Sequence, residues 1–207
     1  MAGVSRRVGV LGGTFDPIHH GHLVAAQEAL HALALDTVLI VPAGNPPHKP
    51  ERPISAAHHR LAMVSLAIAG RPGFELSRVD VDRPGPHFTL DTLTILRERL
   101  GAATRFFFIV GADSLAELTT WRRPEGIVAL ADLAVVERPG TRVDLEALEA
   151  RLPGLGSHLH WVSMPLLQIS STDLRTRGRE GRPIAFLVPR PVEDYIVQHA
   201  LYRAGAT

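Results

Sequence analysis

Three histidines, His19, His20 and His22, fall within four residues inside the stretch GGTFDPIHHGHL at 12–23. Imidazoles packed this closely suit two kinds of chemistry: donating hydrogen bonds to an anion, or ligating a metal. Pro17 marks the approach to a helix, and Gly21 allows close approach of backbone to a ligand. His19 and His22 are three apart, which places them on one side of a helical first turn. Helix N-termini carry unsatisfied N–H groups and positive partial charge, so this is a natural site for a phosphoryl group. The same dipole disfavours imidazolium, so the imidazoles are expected to act mainly as hydrogen-bond donors. Two alternatives stay open on local chemistry. His19, His20 and His22 are all possible metal ligands, although no carboxylate stands at the H-E-x-x-H spacing. A histidine-rich surface loop is the third.

A second stretch, GNPPHKP, holds the only lysine, Lys49, and the only asparagine, Asn45; every other one of the 22 basic residues is arginine. Lysine offers a compact point charge where arginine offers a wide planar fork. A lysine in such a chain therefore points to use of this loop at a site.

The elements that must carry these residues follow from periodicity. Apolar strands are expected at 6–13, 37–43, 104–113, 132–140 and 159–164, and an alternating strand at 74–82. Helical spacing covers 20–35, 55–70, 88–101, 145–152, 170–181 and 191–205, with a short helix at 114–121. Alternating strands and helices with fully apolar strands predict an α/β fold: a Rossmann-like parallel sheet flanked by helices. The glycines after the first strand fit neither G-x-G-x-x-G nor a Walker loop, so phosphate would be held by another device.

Composition narrows the function classes. Of 207 residues 45% are hydrophobic and 21% charged, and net charge is +1. That balance argues against a general nucleic-acid or membrane footprint. The lack of cysteine excludes disulfides and thiolate zinc sites. The start of the chain has too short an apolar run for a secretory signal. The expectation is a single domain over 1–207, working in the cytoplasm.

Two separated motifs carry a family resemblance. GGTFDPIHHGH resembles the first fingerprint of the HxGH nucleotidyltransferase superfamily, and ISSTDLR at 169–175 resembles its second. Within that superfamily NPPHK, FTLDTL, IVGADSLAELTTW, ERPG and LVPRPVEDYIVQHALY are similar to the bacterial nicotinate-nucleotide adenylyltransferases. The resemblance covers nearly the whole chain. It implies transfer of AMP from ATP to nicotinate mononucleotide, with Mg²⁺ accompanying ATP, giving nicotinate adenine dinucleotide and pyrophosphate in NAD biosynthesis. A phosphate monoester nucleophile is already anionic at neutral pH, its second pKa being about 6. Direct in-line displacement, helped by positioning and donors, is therefore sufficient.

By motif, the resemblance implies that His19 and His22 contact the ATP phosphates, His22 stabilising the transition state. Gly12, Thr14 and Phe15 would lie along ATP mainly through backbone. Gly111 and Asp113 would face the nucleotide, and Arg138 the adenine. Ser170, Ser171, Thr172 and Arg175 would bind the departing pyrophosphate at a second helix N-terminus. His48 and Lys49 would bring positive charge toward the phosphates, and Thr89 and Trp121 would form the nicotinate pocket. Thr172 and Asp113 also suit helix N-caps, and Trp121 suits the core. Phe88 stands where the family often carries tyrosine, and RTRGREGRP is richer in arginine and glycine than the resemblance suggests. Within the superfamily, nicotinamide mononucleotide and phosphopantetheine are the competing acceptors; a catalytically silent nucleotide sensor is the competing class.

Overall fold

The structure, a computed structural model, describes residues 5–44, 54–137 and 142–203. Among the described residues six strands form one sheet: β1 Arg7–Gly13, β2 Thr37–Pro42, β3 Phe74–Leu76, β4 Arg105–Gly111, β5 Ala131–Val136 and β6 Leu159–Val162. Their order is β3-β2-β1-β4-β5-β6, and every pairing is parallel. The helices are α1 His20–Ala32, α2 Ala57–Ile68, α3 Thr89–Leu100, α4 Ala112–Ala116, α5 Pro124–Leu130, α6 Leu145–Arg151, α7 Ser171–Arg179 and α8 Arg190–Gln198.

Parallel strands joined by helical crossovers are covered on both faces, which is why they read as continuous apolar runs. Ala26, Met63, Leu174 and Val192 bring α1, α2, α7 and α8 onto one face, against Leu11, Ile109 and Val136. Leu93, Leu115, Ile127 and Leu148 bring α3, α4, α5 and α6 onto the other, against Val10, Phe108 and Val135. Gly9 is required between these layers: a Cβ there would come within 2.8 Å of Leu35 and 3.0 Å of Val38.

The elements differ from the periodicity in several places; the helix expected at 191–205, for one, ends at Gln198, and the strand expected at 132–140 ends at Val136. The strand expected at 74–82 ends at Leu76. Asp80 beyond it is buried and needs partners that a ladder would not give: it accepts from Thr92 Oγ1 at 2.7 Å and Arg83 Nη2 at 2.9 Å. Helix α1 ends at Ala32 rather than 35, because Ala34 turns left-handed (φ 44°) and the Leu35 N–H bonds back to the Leu30 carbonyl. Helix α5 was not anticipated, although Pro124 at its first turn is a start signal.

The amino-terminal edge of the sheet holds a polar cluster. Asp132 accepts from Arg105 Nη2 at 2.6 Å, and its oxygens lie 2.9 Å from His158 Nδ1 and 3.3 Å from His160 Nε2. Burial works to raise the Asp132 carboxyl, but hydrogen bonds from His158, Arg105 and His160 outweigh it and hold the group below its ordinary range.

Candidate active site

At the opposite, carboxyl-terminal edge, β1 ends at Gly13 and the chain turns sharply into α1. Phe15 sits in the left-handed region (φ 50°), an uncommon conformation for a bulky residue and one that functional turns retain. Its ring is buried and stands edge-on to the His22 ring at 5.0 Å. A Cβ on Gly13 would come 2.9 Å from that ring, so glycine is needed where the turn folds back on itself.

His19 is the N-cap of α1 and is buried, whereas His22 is half-buried. The two rings stack at 3.6 Å with 22° between their planes. The His19 backbone N–H donates to His22 Nδ1 at 3.3 Å. An Nδ1 that accepts an amide hydrogen assigns the proton of the neutral ring to Nε2, leaving a fixed donor at the outer end. Among the described residues no group of three or more His, Asp or Glu is placed to hold a metal ion.

Helix α7 brings the second motif onto this turn. Ser171 Oγ donates to the Pro17 carbonyl at 2.9 Å, and Arg175 Nη1 to the Asp16 carbonyl at 2.7 Å. Arg175 also reaches Thr172 Oγ1 at 3.3 Å. The N-cap of α7 is Ser170, whose Oγ accepts from the Asp173 N–H at 3.1 Å, so capping does not fall to Thr172, which is exposed.

Between the N-termini of α1 and α7 lies a cleft of about 350 Å³. Leu11, His22, Gly111, Glu137, Ile169 and Ser170 contribute to its wall. It opens beyond the carboxyl ends of β1, β4 and β5, where strand order reverses between β1 and β4. In open α/β sheets that switch point is the usual ligand crevice. Asp113 is exposed in the first turn of α4, whose N-cap is Gly111 rather than a side chain. Gly12 is exposed at the end of β1, and Thr14 follows it half-buried.

Thr89 and Trp121 lie with the other face of the sheet. Thr89 opens α3, and Trp121 is half-buried with its ring edge-on to Phe108 at 5.9 Å. Arg122 lies 4.5 Å over the Phe88 ring, so the segments carrying Thr89 and Trp121 are neighbours. His48, Lys49 and Arg138 lie outside the described residues.

Three supporting residues had no role assigned from sequence. Arg60 of α2 is 2% exposed. Its guanidinium donates to the carbonyls of Ser55 (2.9 Å), Thr14 (3.0 Å), Ala43 (2.6 Å) and Gly44 (3.1 Å). Burial pulls its pKa down, with Asp16 opposing. The buried Asp16 carboxylate accepts from Tyr202 Oη at 2.6 Å and the Ser55 N–H at 3.1 Å. Burial, and then the Asp16 charge, push the Tyr202 phenol well above its ordinary range. Arg60 was legible as a cation set among Leu61, Met63 and Val64; Tyr202 carried no such signal.

The chain is similar to known proteins along nearly its whole length. A family model described as cytidylyltransferase-like matches residues 10–177. A chain from Thermomicrobium roseum, described as a probable nicotinate-nucleotide adenylyltransferase, is 50% identical over 197 residues, spanning 95% of this chain and 92% of its own. One from Roseiflexus sp., described in the same words, is 48% identical over 96% of this chain and 99% of its own. The Plasmodium falciparum nicotinic acid mononucleotide adenylyltransferase complexed with NaAD superposes with a TM-score of 0.76, covering 95% of this chain and 97% of that one. At 21% identity, that likeness speaks to the fold.

Proposed function

This chain belongs to the cytidylyltransferase-like family and, within it, to the nicotinate-nucleotide adenylyltransferases, and from that premise we propose how it works. It transfers AMP from ATP to nicotinate mononucleotide, releasing pyrophosphate. The observation that carries the site assignment is the convergence of two helix N-termini, α1 with His22 and α7 with Ser170, on one cleft at the switch point. Each terminus offers amide donors and positive partial charge to an anion.

ATP binds with its adenosine along the cleft near Gly111, its ribose near Asp113 and its adenine toward Arg138. Its phosphates run between the α1 turn and α7, along Gly12, Thr14 and Phe15. The Nε2–H of His22 donates to the α-phosphoryl oxygens as charge builds there, and His19 stacks beneath and orients it. Ser170, Ser171, Thr172 and Arg175 hold the leaving pyrophosphate. Nicotinate mononucleotide enters from the Thr89 and Trp121 side, its ring against the indole, with His48 and Lys49 offsetting phosphate repulsion. Its phosphate attacks in line, and no covalent enzyme intermediate is required.

Mg²⁺ accompanies ATP as its phosphate complex, a mode that needs few protein carboxylates. This fits the site: both oxygens of the nearby Asp16 are already engaged by Tyr202 and Ser55. The chain 1–207 works as one domain in the cytoplasm. Among the described residues no helix is long and apolar enough to cross a membrane.

The test is pyrophosphate release with ATP and Mg²⁺, offering nicotinate mononucleotide, nicotinamide mononucleotide and 4′-phosphopantetheine in parallel. Strong preference for the nicotinate compound is expected. Release with none of them, despite measurable ATP binding, points to a nucleotide sensor instead.

A further inference from the structure

We propose that Arg60 is a positioning residue for phosphate binding, acting from beneath the site by aiming backbone amides rather than by touching substrate. This rests on the assignment of the α1 turn to the ATP phosphates.

The argument starts from the peptide unit. In a trans peptide the C=O of one residue and the N–H of the next point in opposite directions. Among the described residues the only cis bonds are Asp16–Pro17 and Gly85–Pro86, so the Thr14–Phe15 and Ala43–Gly44 units are trans. Arg60 Nη1 binds the carbonyls of both Thr14 and Ala43. The N–H groups of Phe15 and Gly44 are therefore turned away from the buried guanidinium. One guanidinium nitrogen thus orients an amide from the turn after β1 and another from the segment after β2. The remaining donors bind Gly44 and Ser55, so the entry of α2 is pinned to the same centre.

No other side chain could serve as well. Lysine lacks the planar fork that spans several carbonyls at fixed angles. A buried cation is also costly without good partners, and here they are four carbonyls and the Asp16 field. Space is tight: a Cβ on Gly44 would come 2.6 Å from both the Asp80 carbonyl and the His87 ring. The backbone that Arg60 grips has little freedom to relax on its own.

The test uses Arg60→Ala and Arg60→Lys in the full chain, with Mg²⁺–ATP binding by calorimetry beside steady-state turnover. Arg60→Ala is expected to weaken ATP binding at least tenfold and lower kcat at least tenfold. Guanidinium ion at tens of millimolar should restore part of kcat at saturating substrate, while sodium at equal concentration should not. A merely structural residue would lower melting temperature without ion-specific recovery of kcat. If Arg60→Ala does not fold, Arg60→Lys decides: the proposal requires a tenfold loss of ATP affinity in the folded protein. ATP affinity and kcat within twofold of wild type in the folded variant, or equal recovery with sodium, overturn it. If wild-type protein binds ATP but turns over none of the acceptors, the proposed reaction fails while the ATP-binding comparison still decides the role of Arg60.

Discussion

Arg175 Nη1 and the carbonyl oxygen of Asp16 are 2.7 Å apart, although 159 residues separate them in the chain. With Ser171 on the Pro17 carbonyl, this bond clamps the second motif onto the first. The two motifs, far apart in the chain, thereby meet beside one cleft. Under the proposed function the same guanidinium also binds the departing pyrophosphate, so structure and binding would share a residue here.

His22→Ala removes the donor whose Nε2–H is fixed by the His19 amide. Turnover is expected to fall by about a hundredfold or more, the usual loss when one preorganised donor to developing charge is removed. Steady-state kcat at saturating ATP checks it. Activity near wild type would remove His22 from the catalytic role.

Arg175→Ala loses a charge-assisted bond to a partly buried carbonyl. A stability loss of roughly 1–3 kcal/mol is expected from such bonds, with a raised KM for ATP. Urea titration reads the first and kinetics the second. Ser171→Ala removes the neighbouring neutral bond and should cost less in both.

Trp121→Ala should raise KM for nicotinate mononucleotide much more than KM for ATP. The indole is half-buried against Phe108, so a modest fall in melting temperature accompanies it. Equal changes in the two KM values would count against a nicotinate pocket at this residue.

Tyr202→Phe bears on alkaline stability. The folded phenol is held above its unfolded value of 10.0, mainly by burial and then by Asp16. Above that value the unfolded chain loses its proton first and binds fewer protons than the folded one, so stability falls as pH rises. Wild-type stability should therefore drop through the region above pH 10 more steeply than that of Tyr202→Phe. At neutral pH the variant should be less stable by about 1–3 kcal/mol, because the buried Asp16 carboxylate loses a donor. Denaturant midpoints at pH 7 and above 10 give both.

Asp132→Asn bears on the acid limb. The folded carboxyl lies below its unfolded value of 3.8 despite its burial, because its hydrogen bonds to His158, Arg105 and His160 favour the anion. Its contribution is fully present above that value and is lost as pH falls through the lower folded value. The variant should be less stable at neutral pH and show a shallower loss of stability below pH 4. Turnover per folded molecule should hold, since the cluster lies at the far edge of the sheet from the cleft.

The local chemistry was legible along the chain. Apolar runs such as RFFFIVG declare buried parallel strands, since both their faces must be covered. The HxGH spacing declares a helix start with paired imidazoles, and ISSTDLR declares a second start. What could not be read was anything set by packing between distant segments. The alternation in 74–82 suggested a strand, yet the need to satisfy buried Asp80 through Thr92 and Arg83 ended it at Leu76. Thr172 suits the α7 cap along the chain, yet the path of the chain into the helix gives that place to Ser170. Arg60, Asp16 and Tyr202 lie far apart in sequence and are joined only when α2 and the chain beyond α8 close over the turn. A single sequence fixes which groups exist and how neighbours along the chain can point. Which carbonyls a buried cation grips, and so which way the neighbouring amides point, is decided by the fold, because those partners meet only in space.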